Sequence, residues 1–314
     1  MEKYQFSPET RIYGILYAIT TALFWGFLAI ALKVAVADVG VVTIVWFRSF
    51  LAFISLFVFF AIKKPSALRI FLKPPLLVVI AGAGLSLNFL GFNQGISLTT
   101  PGIAQIFIQL GPVLLALAGF AIFGERLSVR QFLGFVCAAA GFSLFYESQL
   151  SAFKGGSDVY VKGVIWLIVA ALSWLLFAIL QKRLVQKYAP QELNMFIYAM
   201  MALVYSPFAE FSSFGGFDYV SWWLMLFLGL NTLIAYGCLA ESFKYVEANK
   251  VSIIITLNPI ITFIAMAVFA TFHVTWIDPE HFTIWSIGGA VMVIGGAIMV
   301  VVPKKGLKNE MLKV

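Results

Sequence analysis

Ten stretches of about 20 residues, none holding more than two charged side chains, run through this 314-residue chain. Each is long enough to cross the ~30 Å hydrocarbon layer of a bilayer as a helix. They fall at roughly 12–35, 39–62, 75–97, 100–123, 129–147, 160–182, 190–211, 219–243, 248–271 and 283–302, with Pro65, Pro74, Pro75, Pro101, Gly155, Gly156, Pro190, Pro279 and Pro303 near the boundaries. Hydrocarbon offers no partner to a free backbone group, so only helices or closed barrels span it. The runs therefore predict an all-α membrane protein with ten transmembrane helices. Charged residues make up only 11% of the chain, where a soluble domain carries about 25%. The first run follows a polar start ending at Arg11 and is too long for a signal-peptide core, so it is expected to remain as a span.

Charge placement sets the expected orientation. With the N terminus inside, seventeen of the 21 Lys and Arg residues fall in cytoplasmic segments, from Lys3 and Arg11 to Lys304, Lys305, Lys308 and Lys313. The outer loops keep Lys154 and Lys162, with Lys33 near an outer helix end and Arg48 inside the second span. The positive-inside rule then places both termini in the cytoplasm. The same bias accounts for the net charge of +7 without nucleic acid as a partner. Cys137 and Cys238 lie in apolar stretches, and their spacing suits neither a disulfide framework nor a metal site.

The halves resemble each other. Gly14–Lys33 aligns with Gly163–Lys182 at an offset of 149, with eight of twenty positions identical, Trp25/Trp174 and Lys33/Lys182 among them. At an offset of 147, Gln109-Leu-Gly-Pro112 falls on Thr256-Leu-Asn-Pro259. Gly134 and Gly141 fall on Gly288 and Gly295 at an offset of 154, implying a seven-residue insertion around His273–Glu280. The expected units are 1–150 and 158–314, five spans each. An odd span number turns the second copy over, giving two five-helix inverted repeats around a central cavity.

Several segments together resemble the EamA-type transporters of the drug/metabolite transporter superfamily. They are Trp25-Gly26, Trp46-Phe47-Arg48, Pro101 through Gly111-Pro112, and Gly124-Glu125-Arg126-Leu127-Ser128 followed by Gly134 and Gly141. The resemblance implies ten helices, a cavity formed mainly by spans 1, 3, 4, 6, 8 and 9, and export or exchange of amino acids, related amines or other metabolites. The second half departs from it, with Thr271-Phe272-His273 and then Asp278-Pro279-Glu280-His281 where the Gly-Glu-Arg sequence would recur.

Polar residues at membrane depth are costly and normally face the bundle interior. Gln105, Gln109 and Pro112 share one face of the fourth span, and Ser252, Thr256 and Pro259 are their equivalents on the ninth. Gly84, Asn88, Gly91 and Gly95 form a stripe on the third span, matched by Asn231, Ala235, Cys238 and Ser242 on the eighth. Such a stripe serves close helix packing or a wet surface, and the sequence leaves both open. Trp25 and Trp174 sit mid-span, where their rings could stack on a substrate or merely meet neighbouring helices. Tyr236 is a further candidate. Pro112 and Pro259 remove an amide, which either frees the carbonyls of Ile108 and Ile255 for a ligand or simply kinks the helix. Arg48 has two readings, pairing to helix-end carbonyls or a substrate or gating role.

The expected substrate-binding residues are thus Trp25, Asn88, Gln105, Gln109, Trp174, Asn231, Tyr236, Ser252 and Thr256, with Arg48, Pro112 and Pro259 as structural or gating residues. No nucleophile–base pair, metal cluster or glycine-rich phosphate loop marks an enzyme, and no cofactor is expected. No Asp or Glu lies near the middle of a span, which disfavours proton antiport through a buried carboxylate. The expectation is a multi-pass protein of a bacterial-type inner membrane that carries an amino acid or similar zwitterion. A larger anionic metabolite, such as a nucleotide or sugar phosphate, and a drug-like compound are the alternatives.

Overall fold

The computed structural model describes residues 8–123, 129–152, 157–246, 248–278 and 283–301. The described residues hold twelve α-helices, three short 3-10 turns and no strand. Five helical stretches are long and apolar enough to cross a bilayer by length and composition: Arg11–Asp38 in α1 (Pro8–Asp38), α2 (Val41–Lys63), α3 (Leu76–Leu98), α7 (Ser157–Leu184) and α9 (Tyr219–Tyr245). The remaining helices are α4 (Pro101–Phe107), α5 (Leu110–Phe123), α6 (Val129–Ala152), α8 (Pro190–Tyr205), α10 (Ala248–Ile255), α11 (Asn258–Thr271) and α12 (Ile284–Val301). The Gly124–Ser128 motif, Lys154, Pro279–His281 and the basic C-terminal cluster lie outside the described residues.

Three segments differ from the sequence expectation. The runs expected as the fourth and ninth spans are each two helices, broken between Phe107 and Leu110 and between Ile255 and Asn258. Both breaks lie just ahead of a proline, Pro112 or Pro259, whose ring displaces the carbonyl four residues back and whose nitrogen donates nothing. The seventh run, expected over 190–211, stays α-helical only to Tyr205; Pro207 falls in a 3-10 turn, Ser206–Phe208.

The long helices are held in pairs by close backbone approach. Along α3, a Cβ at Gly84 would lie 3.0 Å from the Ser173 carbonyl of α7, and one at Gly91 would lie 3.0 Å from that of Trp166. The Gly stripe therefore serves packing, with Asn88 set among the glycines. In α1, Thr21 donates to the Ala235 carbonyl of α9 at 2.9 Å. The α1–α9 and α3–α7 pairs repeat one another in detail. A Cβ on Gly14 would meet Tyr245 and Val246, and one on Gly163 would meet Leu98 and Thr99. Lys33 Nζ donates to the carbonyls of Ile96 and Ser97 at 3.2 and 3.4 Å and to that of Thr99, capping α3, while Lys182 Nζ donates to Val246 at 3.4 Å just past α9. Cations suit helix C-termini because the last carbonyls there carry partial negative charge.

A third pair, α6 and α12, meets through glycine. The facing positions are Gly289 and Gly296, one residue beyond the Gly288 and Gly295 of the alignment: a Cβ at Gly289 would lie 2.7 Å from the Phe145 nitrogen, and one at Gly296 would lie 2.6 Å from the Ala138 nitrogen. Backbone atoms cannot swing aside as side chains do. At the other face, Asp218 caps α9 by accepting from the Ser221 amide at 2.8 Å, and that bond holds its carboxyl below the usual carboxylate range. The Lys64–Glu192 ion pair at 2.7 Å ties the end of α2 to the start of α8, but the exposed lysine makes it a weak tie.

Gly296→Ala is expected to destabilise the protein in detergent by about 1–3 kcal/mol, the usual scale for overpacking. Gly295→Ala, with nothing within 4 Å of its Cβ position, leaves the thermal midpoint unchanged or slightly raised. Equal effects from the two alanines would refute the packing register.

Candidate functional site

The two broken helices and the Trp25/Trp174 pair surround one internal cavity. Its lining comes from Trp25 and Leu28 on α1, Asn88 and Phe92 on α3, Gln105, Ile108, Gln109 and Pro112 at the α4–α5 break, Trp174 on α7, Tyr236 on α9, and Ile255 and Asn258 at the α10–α11 break. The volume is about 50 Å³, several times the ~10–15 Å³ that one water needs. A larger space of about 630 Å³ between α11 and α12 is lined almost wholly by aliphatic side chains, Ile260, Ile264 and Val291 among them. Those three are exposed on the outside of the bundle, which suits lipid rather than a polar solute.

Aromatic rings shape the cavity. Trp25 meets Trp174 edge-on at 6.2 Å and Tyr236 at 5.1 Å. Trp174 and Tyr236 are buried, at 3% and 5% exposure. The amides are fixed by side chain-to-backbone bonds: Gln105 Nε2 donates to the Trp25 carbonyl at 2.8 Å, Gln109 Nε2 to the Gln105 carbonyl at 3.4 Å, and Asn88 Nδ2 to the Ala170 carbonyl at 2.9 Å. Tyr236 donates its hydroxyl to Asn88 Oδ1 at 3.3 Å.

What these groups leave unused defines the chemistry. Trp25 Nε1, Trp174 Nε1, Gln105 Oε1, Gln109 Oε1 and Asn258 Oδ1 are buried and have no hydrogen-bond partner. A buried polar atom without a partner costs roughly 1–3 kcal/mol, so five around one small space amount to an unfilled binding capacity. The site offers two N–H donors and three carbonyl-type acceptors, and a primary amide can also turn over to present its N–H groups. None of the lining residues is acidic or basic.

Of the residues expected from the sequence, Trp25, Asn88, Gln105, Gln109, Trp174, Tyr236 and Pro112 line this cavity, and Asn231, Ser252, Thr256, Pro259 and Arg48 do not. Asn231 is turned to the α1–α9 seam, where Nδ2 donates to the Phe24 carbonyl at 2.6 Å. Thr256 is spent on the Ser252 carbonyl one turn back, at 2.7 Å, and Ser252 is buried off the cavity. Of the two readings left open for Pro112, a freed Ile108 carbonyl or a simple kink, the structure favours the second: that carbonyl accepts from the Gly111 amide at 3.0 Å, because the chain tightens locally to i→i+3 bonding. Asn258 was missed. It occupies the place before Pro259 that Gly111 occupies before Pro112, and that polar-for-glycine exchange was the available signal.

A multi-helix bundle with broken helices around a chamber lined by aromatic rings and amides fits a membrane transporter, and comparison with known proteins supplies the class. The sequence model of the EamA-like transporter family matches twice, over residues 12–146 and 161–302, so the chain belongs to that family. An uncharacterized transporter of Haemophilus influenzae is 31% identical over 304 residues, 96% of this chain and 99% of the relative. The uncharacterized inner membrane transporter YhbE of Escherichia coli is 33% identical over 252 residues, 79% of this chain and 78% of the relative. A crystal structure with 19% identity covers 96% of this chain and 99% of its own with a TM-score of 0.65, a likeness of fold.

Asn231→Ala strips a donor from the α1–α9 seam rather than from the cavity. The expected result is a destabilisation of about 1–3 kcal/mol in a thermal-unfolding measurement, with ligand affinity of the folded fraction unchanged. A selective loss of affinity would place Asn231 at the binding surface instead.

Proposed function

We propose that this protein carries a small zwitterionic metabolite, an amino acid or a related amine, across a bacterial-type cytoplasmic membrane by alternating access, as exporter or exchanger. The observation that carries the reading is the cavity's unpartnered set of two indole N–H donors and three amide oxygens with no charged side chain among the lining residues. Donors suit a carboxylate, acceptors suit an ammonium group, and a neutral chamber suits a solute whose own charges cancel. Indole faces suit its apolar part.

Ten membrane-spanning segments as two five-helix inverted repeats complete the proposal. Support comes from the double family match and from the equivalent contacts of Gly14 with 245–246 and Gly163 with 98–99. The equivalent breaks ahead of Pro112 and Pro259 agree as well. Discontinuous helices at a repeat interface leave backbone groups open to a solute midway across the bilayer. The distribution of Lys and Arg supports cytoplasmic termini.

The absence of a cation from the lining argues against a nucleotide or sugar phosphate. The lack of a lining carboxylate favours exchange or facilitated movement over proton antiport.

Purified protein in liposomes, offered labelled amino acids and labelled nucleotides with and without an imposed pH gradient, tests this. Saturable amino-acid uptake is expected, little altered by the gradient. Gln109→Ala is expected to weaken apparent affinity about 10-fold or more, the equivalent of ~1.4 kcal/mol or more, with folding intact. Wild-type kinetics in Gln105→Ala, Gln109→Ala and Trp25→Ala alike would remove the assignment.

A further inference from the structure

Arg48 is 1% exposed, inside α2, in a bundle built for hydrocarbon. Among the described residues no carboxylate lies within ion-pair distance of it; the one ion pair given by geometry joins Lys64 to Glu192 at the membrane edge. Its Nε donates to Thr232 Oγ1 at 2.9 Å, and its guanidinium carbon lies 4.5 Å from the centre of the Phe89 ring. The helix-end carbonyls expected as partners are not the ones it uses. A hydroxyl and a ring face ease a buried cation, but neither cancels its charge.

The surroundings lead from Arg48 to the cavity in one step. Phe89, which carries the cation on its face, follows the lining residue Asn88 and touches the lining residue Tyr236, ring to ring, at 5.2 Å. Thr232, which accepts from Arg48, stands one turn before Tyr236 on α9. The two phenols nearby have committed their protons elsewhere: Tyr198 donates to the Thr232 carbonyl at 3.3 Å and Tyr236 to Asn88 Oδ1 at 3.3 Å. The positive charge is thus held one side chain behind the α3–α9 wall. The unpartnered acceptors lie on other walls, at the α4–α5 break (Gln105, Gln109) and at the start of α11 (Asn258).

We infer that Arg48 is a positioning residue that makes the cavity select a carboxylate-bearing solute. Its field directs the anionic end to the Trp25–Tyr236 side and leaves the ammonium end to the amide oxygens. The inference rests on the proposed zwitterion site and adds to it an orientation and a charge requirement. Direct contact is not needed, because charges act over longer distances where water is excluded. Trp25 Nε1, unpartnered and on the indole that meets Tyr236 edge-on, is the donor placed to receive the carboxylate.

Thermal stabilisation of the detergent-solubilised protein by three probes, alanine, alaninamide and acetate, separates the possibilities. In the wild type, alanine and acetate are expected to raise the melting midpoint and alaninamide, which lacks a carboxylate, to raise it little. Arg48→Gln keeps a donor for Thr232 and removes the charge; it is expected to weaken alanine and acetate binding about tenfold with the alaninamide response unchanged. Arg48→Lys keeps the charge and the wild-type ranking. Equal weakening of all three probes in Arg48→Gln, or an unchanged ranking, overturns the inference and leaves Arg48 a packing residue. If Arg48→Gln fails to fold, Arg48→Lys alone decides: loss of the preference for alanine over alaninamide overturns it. Acetate distinguishes this failure from failure of the transport reading. A charge-dependent acetate response without any alanine response removes the amino-acid proposal and sustains the role of Arg48. No response to either probe in the wild type overturns both.

Discussion

A polar atom inside a bilayer has no water to turn to, and the packing of this protein follows from how that constraint is met. Side chains reach across to backbone carbonyls of the neighbouring helix: Thr21 to Ala235, Asn88 to Ala170, Asn231 to Phe24, Thr262 to Gly26. Each bond joins two helices at a point where lipid tails would give no cohesion, since tails are as apolar as leucine. Glycine does the complementary work by letting backbones approach until dispersion contacts become dense. Together they turn long apolar helices into fixed pairs. Against that background the cavity stands out as the place where five unpartnered buried atoms gather on one lining, from Trp25, Trp174, Gln105, Gln109 and Asn258, while Asn93, Gln181, Asn231, Ser242 and Ser252 each hold one elsewhere.

The pairs and the breaks divide the labour. Helices α1, α3, α7 and α9 are continuous and clamped, and the short helices α4, α5, α10 and α11 meet them at the cavity. A break ahead of proline leaves helix termini inside the bundle, tolerable only where protein or a hydrated space receives the freed groups. At the α4–α5 break the tight i→i+3 bond to Ile108 recovers one of them. The cost of interrupting a span thus falls where polar groups are already assembled, which is why the break and the amides share an address.

Much of this was legible in the sequence because membrane helices are constrained by hydropathy and depth, both one-dimensional. The positions of the long helices, the mid-helix placement of Trp25 and Trp174 and the shared face of Gln105 and Gln109 follow from hydropathy and spacing. Which face of the ninth span meets the cavity did not follow. Ser252 and Thr256 have the same spacing as Gln105 and Gln109, but neither lines the chamber: Thr256 folds back on the Ser252 carbonyl, and Ser252 is buried away from it with its hydroxyl unpartnered. Asn231 was misread for a related reason: spacing gives a face, and that face looked into a helix seam. The α6–α12 contact was not legible at all: the repeat alignment relates Gly134 and Gly141 to Gly288 and Gly295 but says nothing of which helices touch, and it is the adjacent Gly289 and Gly296 that meet α6.

The size of the chamber constrains how it works. Ligand sites that enclose a small molecule typically measure about 300–1,000 Å³, and this one is about 50 Å³, with Trp25 and Trp174 in edge contact across it. The proposed zwitterionic solute would enter only if the walls part. The long pairs are poorer candidates for that motion, since α3 and α7 are packed at Gly84 and Gly91 with little room for even a Cβ between them. Motion falls to the short helices, whose breaks at 108–109 and 256–257 interrupt the hydrogen-bond ladder and lower the resistance to bending. In the proposed alternating-access cycle, movement at one break and then at the other, about pairs that carry Trp25, Trp174 and the Arg48 charge, would expose the same groups to either side in turn.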